Sequence, residues 1–423
     1  MPVTRFDGAS WLESPLSRRR LDLSTFSVER SAVAEICARV AVEGDSALRE
    51  YGARFDGWAP AAGETFEVDR AELAAAAAGL AGPDRDALEF AAGRIRDFHS
   101  KQVQAATNGS STLKLLSRPV RRAGVYAPGG RASYPSTVLM TAIPARVAGV
   151  KEVVLATPPR ADGTVPAAIL AAAHIAGVDT VYRIGGAQAI AALAYGTASI
   201  PRVDVVAGPG NIYVTLAKKE VFGAVGVDGI AGPTEVLVIA DAQARPDFVA
   251  ADLAAQLEHD PLAWAVLLTD SSALADRVQE ELENLLLGLD RAEIIRAATC
   301  CLVLVDDLEQ AVRLANDFAP EHLLIVTDNA ASLATRVENA GAVFVGAYAT
   351  VPLGDYVAGP NHTLPTSGAA RFSSPLGVHT FMKRTSVISL QRSDLELLRE
   401  ACVRLAGMEG LGAHAHAVEV RLE

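Results

Sequence analysis

Histidines with carboxamide or carboxylate neighbours are concentrated in the carboxyl-terminal part of the sequence. Gln256 and His259 are three residues apart near the end of a predicted helix, so the amide oxygen and the imidazole share one face. Such a pair can hold a metal ion, whereas the simpler interpretation is a polar helix end at which His259 compensates the helix dipole. Glu321 and His322 directly precede an apolar run, which predicts that they lie at the mouth of a strand, where ligands of α/β proteins tend to bind.

Three more residues, Asp355, Glu409 and His414, extend this set of candidate groups. Because adjacent side chains usually point in different directions, Glu321 and His322 are predicted to be two separate proton-transfer groups, or else an ordinary surface pair. Asp355 lies in a Gly/Pro-rich loop, where it could complete a metal site of mixed nitrogen and oxygen ligands or merely cap a turn. Glu409 and His414 add one acid and one imidazole, although that segment could equally be a terminal strand.

Two glycine-rich turns, at residues 185–188 and 208–211, each follow a predicted strand and precede a predicted helix. Free backbone N–H groups at such a place could meet a pyrophosphate. The sequence has no G-x-G-x-x-G after a strand, so the common dinucleotide fingerprint is missing. Tight packing of a helix on a strand explains these glycines about as well, and both interpretations stay open.

The pattern of apolar residues indicates the elements that must position these groups. Residues from about 30 to 104 read as helices, and Pro83 opens the second long one. From Gly124 onward, short β-branched runs alternate with Ala-rich helical stretches, and a second such series has strands near 236–240, 265–269, 302–305, 323–326 and 343–345. The predicted fold class is therefore α/β, with two Rossmann-like parallel-sheet domains, one inserted in the other, and small helical extensions at both ends.

Glycine-rich stretches at 126–130 and 230–234 are plausible crossings between the two domains. We therefore expect residues 26–125 and 236–376 to form a split α/β domain that carries the metal and catalytic residues. Residues 126–235 are then the inserted α/β domain. Residues 1–25 are predicted to be an amino-terminal extension and residues 377–423 a helical tail, whose apolar positions need a surface to cover.

Length and composition restrict the class of protein. A chain of 423 residues is too long for one hydrophobic core, and half of its residues are apolar, as in a soluble globular protein. The 38 basic and 50 acidic side chains give a net charge of −12, the wrong sign for binding nucleic acid. Four cysteines provide no disulfide framework, and we find neither a signal peptide nor a membrane-spanning window, so a cytoplasmic location is expected.

A series of long motifs runs in order along nearly the whole chain: YAPGGRASYPSTVLM at 126–140, PARVAG at 144–149, GGAQAIAALAYGT at 185–197, GPGN at 208–211, AGPTEV at 231–236, QLEH at 256–259, PEH at 320–322, GDY at 354–356 and NHTLPT at 361–366. Taken together they resemble the L-histidinol dehydrogenase family. Such a series is far more specific than any single motif, and it favours the functional interpretation of each candidate residue over the ordinary one.

The resemblance implies oxidation of L-histidinol to L-histidine through the aldehyde, with two hydrides passed to two NAD molecules and one zinc ion per subunit. It also implies that the inserted domain binds NAD and that a homodimer shares its active sites, the carboxyl-terminal tail crossing to the other subunit. By motif position, the zinc ligands would be Gln256, His259, Asp355 and His414, the proton-transfer residues Glu321 and His322, and the NAD contacts Tyr126, Gln188 and Asn211. Substrate would meet the zinc ligands, His322, Glu409, and Thr234, which stands where many relatives have Ser.

Two alternative functions belong beside this one. A paralogous zinc- and NAD-dependent dehydrogenase could oxidise another small polar alcohol to an acid on the same scaffold, although Glu409 and His414 favour an amino alcohol. A non-catalytic α/β protein could instead bind an imidazole ligand, and the intact pair of Glu321 and His322 argues against it.

Overall fold

The computed structural model describes residues 3–18, 23–61, 63–103, 107–129 and 133–423. It divides into two compact units, the first formed by residues 1–103 and 120–381 and the second by residues 104–119 and 382–423. Residues 19–22 of the predicted amino-terminal extension and residue 130 of the first predicted crossing lie outside the described residues. Within the described part of the chain, no helix has the length and apolar character needed to span a bilayer.

The strands are, in chain order, β1 (Val3–Asp7), β2 (Thr107–Gly109), β3 (Leu113–Pro119), β4 (Arg122–Tyr126), β5 (Glu152–Thr157), β6 (Thr180–Arg183), β7 (Val205–Ala207), β8 (Gly226–Val227), β9 (Glu235–Ala240), β10 (Trp264–Thr269), β11 (Thr299–Leu304), β12 (His322–Val326), β13 (Ala342–Val345) and β14 (Met382–Ile388).

The α-helices are α1 (Gly8–Glu13), α2 (Ser27–Glu43), α3 (Asp45–Tyr51), α4 (Arg70–Gly79), α5 (Gly82–Ser100), α6 (Pro135–Val147), α7 (Ala167–Ala176), α8 (Gly186–Tyr195), α9 (Ile212–Val221), α10 (Pro246–Leu257), α11 (Ser272–Leu285), α12 (Ala292–Ala297), α13 (Leu308–Phe318), α14 (Ala330–Ala334), α15 (Val351–Tyr356), α16 (Arg392–Met408) and α17 (Gly412–Glu419). A π-helical turn at Gly52–Asp56 and short 3₁₀ turns at Pro15–Arg18, Leu23–Phe26, Ala369–Arg371 and Val378–Phe381 complete the helical elements.

A five-stranded parallel sheet with the order β6-β5-β4-β7-β8 forms the first half of the first unit. Successive side chains of a strand point to opposite faces. In β5, Val153 and Leu155 therefore pack with α4 to α7, whereas Val154 and Ala156 pack with α2, α3, α8 and α9. The sheet is covered by helices on both faces, as parallel sheets require.

A six-stranded parallel sheet with the order β1-β11-β10-β9-β12-β13 forms the other half. Every residue of its central strand β9 is buried. Val236 and Val238 face the cluster that contains α10, α11 and α12, and Leu237 and Ile239 face the cluster that contains α1, α13 and α14. The five-stranded sheet lies between β1 and β9 in sequence, so the predicted α/β fold with one parallel-sheet domain inserted in the other is confirmed.

The structure differs from the expected domain boundaries in one region. The helices of residues 27–100 and strand β4 belong to the five-stranded sheet, whereas we expected residues 26–125 to join the sheet that carries the catalytic residues. Helical periodicity shows that a helix has an apolar face but not which sheet that face covers. The amino-terminal segment also contributes β1, an edge strand of the six-stranded sheet.

The second unit combines two distant segments of sequence. An antiparallel sheet with the order β14-β3-β2 pairs Met382–Ile388 with Leu113–Pro119, and α16 and α17 follow it. The carboxyl-terminal tail is therefore partly strand and not only helical as expected. The helical part of the tail is α16, at Arg392–Met408, and α17.

Candidate active site

The two proton-transfer candidates lie where the central strands of the six-stranded sheet begin. Glu321 directly precedes β12, His322 is its first residue, and Glu235 is the first residue of the neighbouring strand β9. Both candidates are almost completely buried. This is the amino-terminal edge of the sheet. The sequence had predicted the opposite, carboxyl-terminal edge, at which ligands of α/β proteins usually bind.

Two donors hold the carboxylate of Glu321. The hydroxyl of Thr234 and the backbone N–H of Glu235 both donate to Glu321 Oε2, at 2.5 and 2.8 Å. Burial raises the pKa of Glu321, and the charge of His322 and these two hydrogen bonds oppose that rise. A carboxyl group with a raised pKa can take up and release a proton nearer to neutral pH than an exposed one.

Thr234 also connects Glu321 to the candidate metal ligands. The carboxamide Nε2 of Gln256 donates to Thr234 Oγ1. This hydrogen bond fixes the orientation of the carboxamide. The other atom of the amide, Gln256 Oε1, is buried and has no hydrogen-bond partner. Gln256 lies near the carboxyl end of helix α10, and His259 comes directly after the residue that caps this helix end, Glu258.

The imidazole of His322 is oriented by a backbone carbonyl. Its Nδ1 lies 3.0 Å from the carbonyl oxygen of Glu235, which can only accept, so Nδ1 carries the hydrogen. Its Nε2 lies 3.6 Å from Asp355 Oδ1. Burial lowers the pKa of His322, but the charges of Glu321 and Asp355 outweigh burial and raise it to about 9. A cation bound by Asp355 would offset one of these charges and lower that pKa.

The carboxyl group of Asp355 interacts with the two remaining imidazoles of the site, those of His259 and His362. Burial opposes its ionisation, but the hydrogen bond and charge of His322 hold the pKa of Asp355 below its usual value. Burial lowers the pKa of His259 below its usual range, and the charge of Asp355 opposes this lowering. The ring of His362 is held by the backbone oxygen of Asp355 at 2.8 Å from Nδ1. The sequence analysis noted the loop that contains His362 but gave this residue no role.

A contact that sequence reasoning missed joins the elements that carry these groups. Asp252, buried on α10, accepts hydrogen bonds from the hydroxyl of Thr350 and the backbone N–H of Val351 at the start of α15. Asp252 lies one helical turn before Gln256, and α15 carries Asp355. The acid therefore ties together the two helices that supply candidate ligands. The sequence signal for this contact is the spacing of Asp252 and Gln256, which are four residues apart and therefore share one face of the helix.

We tested whether these residues fit a metal ion. Among the described residues, no group of three or more His, Cys, Asp and Glu side chains could hold one. The first unit supplies one imidazole and one carboxylate, from His259 and Asp355, with the amide of Gln256 as a third group. A buried acceptor without a partner is costly, and Gln256 Oε1 is such an acceptor. This donor set fits part of a site of mixed nitrogen and oxygen ligands.

The two remaining candidates belong to the second unit. Glu409 follows α16 and His414 lies in α17, and both side chains are exposed in the single chain.

The three candidate NAD contacts lie at the carboxyl-terminal edge of the five-stranded sheet. Tyr126 ends β4, Gln188 is in the first turn of α8 after β6, and Asn211 precedes α9 after β7. The direction in which the strands are added reverses between β4 and β7, and ligands of open parallel sheets bind at such a point. The side chain of Asn211 caps α9 through hydrogen bonds from the N–H groups of Tyr213 and Val214, at 3.1 and 3.2 Å.

A partly buried carboxylate supports the turn before α8. Asp56 accepts from the N–H of Gly185 at 3.3 Å and from Gln188 Nε2 at 3.5 Å, and burial raises its pKa. The N–H of Gly186 donates to the hydroxyl of Tyr126 at 3.1 Å, and burial raises the pKa of this tyrosine to about 12. The sequence analysis did not single out Asp56, which is far from this turn along the chain.

Comparison with known proteins gives one consistent family. The family model described as histidinol dehydrogenase matches residues 18–422. A histidinol dehydrogenase of Parasynechococcus marenigrum is 49% identical over 97% of this chain and 95% of its own length, and one of Syntrophotalea carbinolica is 50% identical over 92% of both. The crystal structure of histidinol dehydrogenase from Elizabethkingia anophelis matches 100% of this chain and 98% of its own with a TM-score of 0.90 and 34% identity.

Proposed function

Because the chain belongs to the histidinol dehydrogenase family, we propose that it oxidises L-histidinol to L-histidine through L-histidinal, as part of histidine biosynthesis in the cytoplasm. The oxidation removes four electrons as two hydrides, which two NAD molecules accept, and it uses one zinc ion per subunit. The observation that carries this proposal is the buried, unpartnered carboxamide oxygen of Gln256 beside the pair Glu321 and His322.

The proposed zinc ligands are Gln256, His259, Asp355 and a His414 that arrives from the partner subunit of a homodimer. Bound zinc would hold the imidazole and amine nitrogens of the substrate and fix its alcohol carbon in position. Gln256 is oriented for this role because Thr234 accepts from its nitrogen, which leaves the oxygen as the free atom. Glu409 of the partner subunit would pair with the substrate amine.

The two oxidations need two proton-transfer groups, and the site offers them at separate positions. A cation bound by Asp355 would lower the raised pKa of His322 and so favour its neutral form. With Nδ1 committed to the Glu235 carbonyl, Nε2 of neutral His322 is then the atom that accepts the alcohol proton as the first hydride leaves. Glu321 then removes a proton from water that attacks the aldehyde, and the resulting hydrate gives the second hydride. Thr234 keeps Glu321 in place and contributes a hydroxyl to the substrate pocket.

The NAD site is proposed at the carboxyl-terminal edge of the five-stranded sheet. The turns before α8 and α9 lie at the positive amino-terminal ends of these helices, which suit a pyrophosphate. Tyr126, Gln188 and Asn211 surround these turns, and a tyrosine with a raised pKa stays neutral and can donate from its hydroxyl.

Product stoichiometry tests the function. Purified protein stripped with a chelator should be inactive with histidinol and NAD, and added zinc should restore activity. The loaded enzyme should form two NADH per histidinol consumed and release histidine. One NADH per histidinol with accumulating aldehyde would refute the four-electron reaction. Oxidation of another amino alcohol in preference to histidinol would indicate the paralogous enzyme, and binding of histidinol without any NADH would indicate a binding protein.

A further inference from the structure

An ion pair that the proposed reaction does not use is buried in the first unit. Lys218 of α9 pairs with Asp228, which follows β8, and the two side chains are only 5% and 3% exposed. A buried ion pair is seldom more stable than apolar residues of the same volume. Its presence here therefore calls for a role other than stability.

Both members of the pair hold the backbone of Gly208. Lys218 Nζ donates to the Gly208 carbonyl oxygen at 3.0 Å, and the Gly208 N–H donates to Asp228 Oδ2 at 2.8 Å. We call this arrangement of Lys218, Asp228 and Gly208 the Gly208 clamp. Gly208 has a φ of +121°, and a Cβ at this residue would lie 2.2 Å from the backbone oxygen of Tyr126.

Packing supports the same turn on one side only. Gly208 and Pro209 line a cavity of about 390 Å³, together with Phe222, Leu364 and other residues. A backbone segment that borders a cavity has few neighbours to restrict it on that side. The two hydrogen bonds to the ion pair therefore fix the Gly208 end of the turn, while the side chain of Asn211 fixes its other end by capping α9.

We propose that Lys218 and Asp228 are positioning residues for NAD, which act by holding the turn at 208–211 in the conformation that binds the dinucleotide. This inference rests on the proposed NAD site, because the turn carries Asn211 and borders Tyr126. A turn that is correctly shaped for only a fraction of the time binds its ligand more weakly by that fraction. Loss of the clamp should therefore weaken NAD binding without touching the site of histidinol.

Two double variants separate positioning from stability. Lys218→Met with Asp228→Leu replaces the pair by apolar side chains, so the fold is retained while both bonds to Gly208 are lost. Lys218→Gln with Asp228→Asn removes both charges but keeps one donor and one acceptor for the same backbone groups. Lys219→Met is the matched control, because Lys219 is the exposed neighbour of Lys218 on α9.

The measurements are the dissociation constant of NADH, from the fluorescence of its nicotinamide, the KM values for NAD and histidinol, and the unfolding temperature. In the apolar variant we expect the dissociation constant of NADH and the KM for NAD to rise about tenfold or more, with the KM for histidinol unchanged. The polar variant should recover most of the binding. Lys219→Met should behave as the wild type.

Three results would overturn the inference. Equal NADH affinity in the wild type and the folded apolar variant would show that the pair does not position the turn, while the proposed function would stand. A parallel rise of both KM values, or a polar variant as weak as the apolar one, would show a general structural effect. Absence of NADH binding by the wild-type protein would refute the proposed function itself, and the clamp with it.

Discussion

Replacing Thr234 by valine should slow the oxidation of histidinal, although the two side chains have nearly the same size. Valine fills the same volume but can neither donate to Glu321 nor accept from Gln256. A hydrogen bond to a buried charged group is worth about 1.5–3 kcal/mol, and each 1.4 kcal/mol is a factor of ten, so the rate at neutral pH should fall about 10- to 100-fold. The backbone N–H of Glu235 remains as a donor to Glu321 and limits the loss.

The sign of the pH dependence follows from the same contacts. Burial already raises the pKa of Glu321, and the Thr234 bond opposes that rise because it stabilises the carboxylate. Thr234→Val should therefore raise this pKa further, so that less of the base is ionised at neutral pH. The deficit should be largest at low pH and shrink as the pH rises through the pKa values of both proteins, because the carboxylate is then ionised in each.

The assay is kcat/KM for histidinal as a function of pH in the wild type, Thr234→Val and Thr234→Ser. Serine restores the hydroxyl, so this variant should follow the wild-type profile. Zinc content is measured in parallel, since freeing Gln256 could also loosen the metal. A deficit that does not change with pH, or a serine variant as slow as the valine variant at full zinc occupancy, would refute the reasoning.

Four other substitutions and one mixing experiment test the site. His259→Asn should fold normally but lose zinc and activity together; full zinc content in this variant, measured by metal analysis, would remove His259 from the ligand set. Glu321→Gln should slow aldehyde oxidation by about 10²–10⁴-fold and spare the alcohol step, so equal rates on both substrates would contradict its role. Asp252→Ala, or Thr350→Val, should lower zinc affinity about 10- to 100-fold, as expected for loss of a contact that orients the ligands, and unchanged affinity in competition with a chelator would exclude this. When Glu321→Gln and His414→Asn chains, neither of which forms histidine efficiently, exchange subunits, each heterodimer should form histidine at about half the rate of a native dimer if the sites are shared, so that a random equal mixture regains about a quarter; no activity should return if each chain uses its own His414.

Local patterns predicted the elements of the fold closely. Strands β9, β10 and β12 begin within a residue of their predicted apolar runs, because a buried parallel strand is apolar throughout. A short stretch of sequence shows that a helix has an apolar face but not which sheet that face packs against. The helices at 27–100 show an apolar stripe that fits either sheet, and β1 is a short edge strand with only two apolar residues, Val3 and Phe6.

The candidate site shows the same division between what is local and what is distant. Residue type and order indicated Glu321, His322, Gln256 and His259, because each pair is close in sequence. The contacts that orient them are long-range, such as Thr234 with Glu321 and Asp252 with Thr350. A side chain that only holds another in place has no distinctive spacing, so these positioning residues could not be found without the fold.

One short segment of the chain connects the proposed NAD site to the proposed catalytic site. Residues 228–234 connect the five-stranded sheet to the six-stranded sheet; Asp228 at its start holds Gly208, and Thr234 at its end holds Glu321. A fully extended chain advances at most about 3.6 Å per residue, so these two residues are no more than about 22 Å apart in backbone position. Hydride transfer requires the nicotinamide and the substrate carbon to come into contact. One connector therefore carries contacts to both the NAD turn and the catalytic carboxylate, and its length sets an upper limit on the distance between the proposed dinucleotide and substrate sites.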